Sequence, residues 1–437
     1  MHKVGVIGFG YIGSVIGATL ASRGHRVLAL DYNPAIIAAV SAGRAPISEP
    51  GLSERIESAV TTGALTISND VATLSECDVF IIAVGTPLAA DMASADMSHL
   101  EGACHTLAPF AKPGSLVVVK STVPPGTCRN IVAAALQPGV DVAFCPERLA
   151  EGTAVADFER IPIVVGGVTP QAGERAATFW RDAMGLEVIE VDSAESAELV
   201  KLADNLWIDV NIALASEIGY VASALGADAH EVIRAANSLP KGQHHVNIMT
   251  PSVGVGGYCL TKDPWFFKAL ANGLGVDVQM PAASRQINDA VPAHYAAVID
   301  GALGGPVADD GSRRKVAVLG IAFKSNTGDI RNTPASEYVA HLRAAGYDLA
   351  VHDQLVDPAE AKSHLGIDLT DGVPEVLENA DAVLFLAGHQ IYRSLAIEDI
   401  ASRVRPGALI FDGQRNFSRS EVSEIKAKGL RYRGVGR

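Results

Sequence analysis

Apolar residues along this chain fall into two patterns: short unbroken runs closed by turn residues, and longer segments in which they recur at helical spacing. The opening "KVGVIGFGYIGSVIGATLASRGHRVLALD" reads as strand, glycine turn, helix and strand. Much of it returns near the C-terminus. "RKVAVLGIAF" resembles "HKVGVIGFGY", "GYDLAVHD" resembles "GHRVLALD", "NADAVLFLAGHQ" resembles "ECDVFIIAVGTP", and "PGALIFDGQ" resembles "PGSLVVVKS". Four matches in the same order, each a short apolar strand with turn residues at its end, predict a second strand–helix domain of the same winding. Between the halves, "ESAELVKLADNLWIDVNIALASEIGYVASALG" keeps helical spacing without a proline, which predicts one long helix linking two sheets. "GALGGPVADDGSRRK", residues 301–315, has the glycine and charge of a surface linker.

The first glycine turn carries chemistry. Gly8, Gly10 and Gly13 form G-x-G-x-x-G directly after the strand, and Asp31 ends the next strand 18 residues past Gly13. Glycines so placed let the backbone approach a pyrophosphate on a helix N-terminus, and the acid accepts hydrogen bonds from ribose hydroxyls. A carboxylate there repels a 2′-phosphate, so the expected cofactor is NAD rather than NADP. The C-terminal repeat keeps only Gly320 of the triplet and is expected to bind something else. On the middle helix Lys201, Asn205 and Asp209 fall at i, i+4 and i+8 and share roughly one face, which fits a functional face or a solvated polar stripe equally.

Length and charge narrow the class. A chain of 437 residues exceeds one core, so two or three domains are expected. Hydrophobic residues make up 48%, yet charges interrupt every apolar run short of a membrane span. The net charge of −14, with no basic stripe, argues against a nucleic-acid partner, while local amides and a few cations still allow a small anion. "MHKVGVIG" enters a strand with no export-signal pattern, so the expected compartment is the cytoplasm.

Five cysteines form no zinc or C-x-x-C spacing, and no metal is expected. Cys77, Cys104, Cys128 and Cys145 lie in apolar or helical surroundings and read as buried thiols. Cys259 is different: it sits on the glycine-rich loop "GVGGYCLTKDPWF", with Lys262 and Asp263 just after it. Moving one hydride between an alcohol and a nicotinamide needs no thiol, so the loop points to covalent chemistry.

These stretches, with "VGTP" at 84–87, "STVPPGT" at 121–127, "CPERLAEG" at 145–152, "ELVKLADN" at 198–205, "GIAFKSNTGDIR" at 320–331 and "DGQRN" at 412–416, resemble the nucleotide-sugar 6-dehydrogenase family over essentially the whole chain. The family is typified by UDP-glucose, UDP-N-acetylhexosamine and GDP-mannose dehydrogenases. The resemblance implies an α/β fold of two Rossmann-like doubly wound domains joined by a long central helix: an NAD domain at 1–193, a helical dimerisation region with the cysteine loop at 194–300, and a UDP-sugar domain at 301–437. It implies a homodimer or higher homo-oligomer, with no membrane partner.

By the same resemblance, a primary alcohol is taken to a carboxylate with two NAD. Cys259 attacks the intermediate aldehyde to give a thiohemiacetal, then a thioester that water hydrolyses. Lys201 and Asn205 stabilise the developing oxyanions, and Asp263 acts with Thr122 and Glu147 to order and deprotonate water. Tyr11, Ile12, Thr86, Thr122 and Glu151 join the glycines and Asp31 around NAD, and Arg331 reaches toward it. Lys324 and Arg415 grip the nucleotide sugar, while Asn247 and the amides of Gly254 to Gly257 support the sugar, a task shared by Glu147, Lys201 and Asn205.

There are departures from the family pattern. "GQHHVN" offers His245 where many relatives carry an arginine reaching into a neighbouring subunit, and Asn326 replaces an acid after the "AFK" lysine. "CLTKD" resembles the UDP-glucose branch, whereas "DPWF" and "VNIALASE" resemble the N-acetylhexosamine branch. Two other readings stay open at this point: a two-electron 3-hydroxyacid dehydrogenase, which leaves Cys259 and the C-terminal repeat unexplained, and a non-catalytic NAD-binding module.

Overall fold

The computed structural model describes residues 1–89, 94–242 and 244–437; Gln243 of the "GQHHVN" stretch therefore lies outside the described residues. The chain divides into two units, Met1–Asp204 with Trp265–Asp277, and Asn205–Pro264 with Val278–Arg437.

The first unit is built on eight strands: β1 (Lys3–Ile7), β2 (Arg26–Leu30), β3 (Leu65–Ser68), β4 (Val79–Ile82), β5 (Leu116–Val119), β6 (Asp141–Phe144), β7 (Ile163–Gly167) and β8 (Val188–Val191). They lie in the order β3-β2-β1-β4-β5-β6-β7-β8, with β6 and β7 antiparallel and every other pair parallel. The strands read as unbroken apolar runs because both faces are covered. Val79 and Ile81 of β4 point into one core cluster with Val4, Val6 and Val118, and Phe80 and Ile82 point into another with Ile7, Val117 and Val119.

In the second unit a short hairpin, β9 (Pro240–Lys241) with β10 (His244–His245), precedes a parallel sheet. That sheet holds β11 (Lys315–Leu319), β12 (Asp348–His352), β13 (Ala382–Phe385), β14 (Leu409–Asp412) and β15 (Arg431–Gly434) in the order β12-β11-β13-β14-β15. The four sequence matches land on its four consecutive strands β12-β11-β13-β14, mirroring β2-β1-β4-β5 of the first sheet. Register agrees as well: β1 meets β2 from Lys3 opposite Arg26, and β11 meets β12 from Lys315 opposite Asp348. The outer strand β3 has no full counterpart, only an isolated bridge from Val351 to Leu369.

The predicted long helix is present as one 31-residue helix, Ala194–Ala224. Its polar positions are not a solvated stripe, since Lys201, Asn205 and Asp209 are all buried. Among the described residues no helix is long and apolar enough to cross a membrane.

Candidate active site

The glycine fingerprint solves three separate steric problems. Gly8 holds φ at +86°, a left-handed conformation that costs other residues energy. A Cβ on Gly13 would stand 1.9 Å from the Gly8 carbonyl oxygen, so this glycine sets how closely helix and strand pack. A Cβ on Gly10 would meet nothing, so that side of the turn is open space where a phosphate fits. The helix Tyr11–Ser22 that follows has no side-chain cap, which leaves its N-terminal amides for an anion. Asp31 is fixed by accepting the Phe9 N–H at 2.7 Å on Oδ2 and the Asn33 N–H at 2.9 Å on Oδ1, and it stays partly exposed. These features fit NAD.

Glu49, which sequence reasoning missed, closes this end of the cradle. It accepts from the Gly152 and Ala154 amides, both at 2.7 Å, and from the Tyr11 hydroxyl. Burial first, then Glu49 and the nearby Glu151, push the Tyr11 phenol far above its usual range. Ile12 packs on the apolar core. The Thr86 hydroxyl donates to the Thr122 carbonyl at 2.7 Å, tying the loops after β4 and β5 together.

Lys201 and Glu147 form a buried ion pair at 3.1 Å. Glu147 leaves β6 on a loop whose Pro146 carbonyl takes a 3.3 Å hydrogen bond from Lys120, itself buried against Phe158 and Trp180. Burial pushes the Lys120 ammonium below its usual range. One turn before Lys201, Glu198 accepts the Gly126 and Cys128 amides at 2.6 and 2.7 Å and so steadies the segment that follows Thr122. Burial outweighs those bonds and lifts its carboxyl to about 7.

In the second unit Cys259 is exposed, while the other four cysteines are buried. The turn holding it is closed by the Lys262 and Asp263 amides, which both donate to the Cys259 carbonyl. Asp263 is fully buried; Oδ1 pairs with Lys262 Nζ at 2.7 Å and Oδ2 accepts from Asn205 Nδ2. A carboxylate bonded to a cation and an amide orients Asn205 and Lys262, and each of its oxygens keeps a second lone pair that a water can meet.

Arg285, 1% exposed, bonds to Asp209 at 2.6 Å and to the Leu260 carbonyl beside Cys259 at 3.3 Å. Ser284 and Asn288 complete the shell around Asp209 at 2.7 and 2.8 Å.

The loop glycines lie close against the chain itself. A Cβ on Gly256 would stand 2.6 Å from Phe323, and one on Gly254 2.9 Å from Pro334, so their missing side chains make room for the chain's own packing. The Gly257 amide donates to the Arg331 carbonyl at 3.0 Å, and the Gly254 amide to Ser252 Oγ at 3.3 Å. Asn247 is exposed, with its carbonyl accepting from Asn211 at 2.8 Å. Arg331 is exposed and chelated by Asp329 at 2.8 and 2.9 Å. Lys324 is half-buried, and Arg415, at φ +53°, lines a cavity of about 690 Å³ with Arg234, Arg419 and Arg437. His245 is exposed on the hairpin.

A dinucleotide cradle on one doubly wound sheet, a second such sheet, and an exposed thiol beside a buried Asn–Asp–Lys cluster define a nicotinamide-dependent oxidoreductase of two nucleotide-binding folds. The chain belongs to the UDP-glucose/GDP-mannose dehydrogenase family: the family's NAD-binding domain matches residues 2–184, its central domain 195–290 and its UDP-binding domain 317–419. It is an NAD-dependent nucleotide-sugar dehydrogenase. It is 33% identical to a UDP-N-acetyl-D-mannosamine dehydrogenase of Pyrococcus horikoshii, over 100% of this chain and 99% of that one. A solved structure of a UDP-D-ManNAc dehydrogenase from Pyrococcus horikoshii superposes with a TM-score of 0.87 at 32% identity, covering 100% and 99% of the two chains. A UDP-glucose dehydrogenase from Pyrobaculum islandicum matches with a TM-score of 0.86 at 32% identity, covering 100% and 98%.

Proposed function

We propose that the enzyme oxidises C6 of a UDP-linked N-acetylhexosamine to the carboxylate in two steps through Cys259. The observation that carries this reading is the single exposed thiol, on a turn whose Asp263 fixes Asn205. NAD, when bound, accepts the hydride. In the first step the alcohol loses a hydride and a proton, with Lys201 and Asn205 meeting the alkoxide. The Cys259 thiolate then adds to the aldehyde carbon, and the same two residues receive the oxyanion. A second hydride leaves a thioester. Asp263 acts with Thr122 and Glu147 to order and deprotonate the water that hydrolyses it and returns the thiol. Asp263 also holds Asn205 and Lys262 in place.

Gly8, Gly10, Gly13, Tyr11, Ile12, Asp31, Thr86, Glu151 and Arg331 serve the cofactor. Lys324, Arg415 and Asn247 serve the nucleotide sugar. UDP-glucose is the second reading, supported by the UDP-glucose dehydrogenase match at nearly the same identity. The working division of the chain remains 1–193, 194–300 and 301–437, and the compartment the cytoplasm. The decisive experiment offers purified enzyme a panel of UDP-, TDP- and GDP-sugars and counts NADH against sugar consumed. Two NADH and one uronate per sugar are expected; one NADH with free aldehyde would overturn the four-electron reading.

The same reading includes a homodimer. On the long helix Trp207, Leu214 and Val221 are 49%, 45% and 62% exposed at strict seven-residue intervals, a spacing that suits a second copy of the helix. Light scattering should give twice the chain mass, and Leu214→Glu should shift the protein to monomer. A wild-type monomer at micromolar concentration would sink this part.

A further inference from the structure

The two sheets share more than their winding. Gly320 leaves β11 at φ +89°, as Gly8 leaves β1 at φ +86°. Asp353 Oδ2 accepts the Ile321 N–H at 2.7 Å and Oδ1 accepts the Leu355 N–H at 2.9 Å, the same two bonds and distances that Asp31 makes to Phe9 and Asn33. What differs is the lid. Where "VGT" follows the strand in the first half, "AGH" follows in the second, so His389 takes the place of Thr86. Its Nε2 lies 3.1 Å from Asp353 Oδ2, and both side chains are buried.

The other ring nitrogen fixes the tautomer. Nδ1 accepts the Asn326 N–H at 2.8 Å, so the proton sits on Nε2 and is donated to Asp353. Asn326 holds φ at +59°, a left-handed conformation that asparagine tolerates better than most residues. Its Oδ1 accepts the Gln390 N–H at 2.8 Å. Asp353, His389, Asn326 and Gln390 therefore tie the loop after β11 to the loop after β13, two residues from Lys324. This gives a physical role to the asparagine that departs from the family pattern.

We propose that His389 and Asn326 are positioning residues for Lys324, holding its loop in the conformation that grips the nucleotide sugar. The proposal rests on the reading of Lys324 given above. The test uses full-length enzyme and NADH initial rates with the nucleotide sugar identified by the panel. His389→Leu is expected to raise KM for the nucleotide sugar about tenfold or more, with kcat within about threefold and KM for NAD unchanged. His389→Gln, whose amide can donate to Asp353 and accept from Asn326, should recover most of that loss. In a Lys324→Met background, His389→Leu should add less than about twofold, because the group it positions is gone.

A merely structural role would instead lower kcat, raise KM for NAD, and add its full effect in that background. Either that pattern or a KM within about twofold of wild type overturns the proposal. If Lys324→Met alone leaves KM unchanged, the reading of Lys324 fails first, and that result is distinguishable. Should His389→Leu not fold, the exposed Asn326→Ala decides in the same assay. It removes the Gln390 bond and disfavours the left-handed turn, and the same tenfold rise in KM is expected.

Discussion

Cys259→Ser is expected to lose steady-state formation of the carboxylate by at least about a thousandfold, roughly 4 kcal/mol of barrier, while keeping fold and NAD binding. Serine has nearly the size of cysteine but lacks thiolate character near neutral pH. The damage should fall after the first oxidation, so either aldehyde or an ester on the new serine accumulates, which mass spectrometry beside an NADH assay resolves. The remaining cysteines cannot substitute. Burial pushes Cys77 up to about 12, Cys104 and Cys145 up to about 11, and Cys128 well above its usual value. Serine at each of those four positions should leave the enzyme active, and a neutral-pH alkylating probe should label Cys259 first. Near-wild-type conversion to carboxylate by Cys259→Ser would reduce the loop to a shaping role.

The second large effect concerns stability. Arg285→Met should lower the unfolding free energy of its unit by about 3–5 kcal/mol, because it breaks a fully buried ion pair by removing one partner from Asp209. Denaturant titration reads this directly. Replacing both partners, Asp209→Leu with Arg285→Met, should recover much of the loss, since an apolar pair carries no unpaired charge. A change under about 1 kcal/mol in the single variant would mean the pair does not hold the helix Ala194–Ala224 to the helix Met280–Leu303. The Leu260 carbonyl loses a donor in the same variant, so alkylation of Cys259 should also change rate.

Elements that repeat along the chain were legible in the sequence. Strands buried on both faces leave unbroken apolar runs, so the four paired stretches pointed to strands that occupy matching places in both sheets. The three glycines and Asp31 were legible because backbone conformation and close packing restrict residue choice at fixed spacing. Lys201 and Asn205 came from helical periodicity and resemblance together. What stayed hidden was pairing across long separations. Nothing in "LTKDP" reveals that Asp263 holds Asn205, 58 residues earlier. Glu49 meets amides more than a hundred positions away, and Arg285 in "SRQIND" looks like any solvated charge until Asp209 is placed against it. Periodicity reports which face a residue is on; it carries no record of the partner.

The imidazole seated on Asp353 has a consequence for timing. With the acid of the second sheet covered and that of the first left open, the described residues provide one dinucleotide cradle, so in the proposed four-electron reaction two cofactor molecules would pass through it in succession. On that proposal, spent cofactor would depart and fresh cofactor arrive while the half-oxidised sugar waits. The dwell time of that sugar would then have to outlast a cofactor exchange, and the proposed bond to sulfur is a means of setting the slower clock.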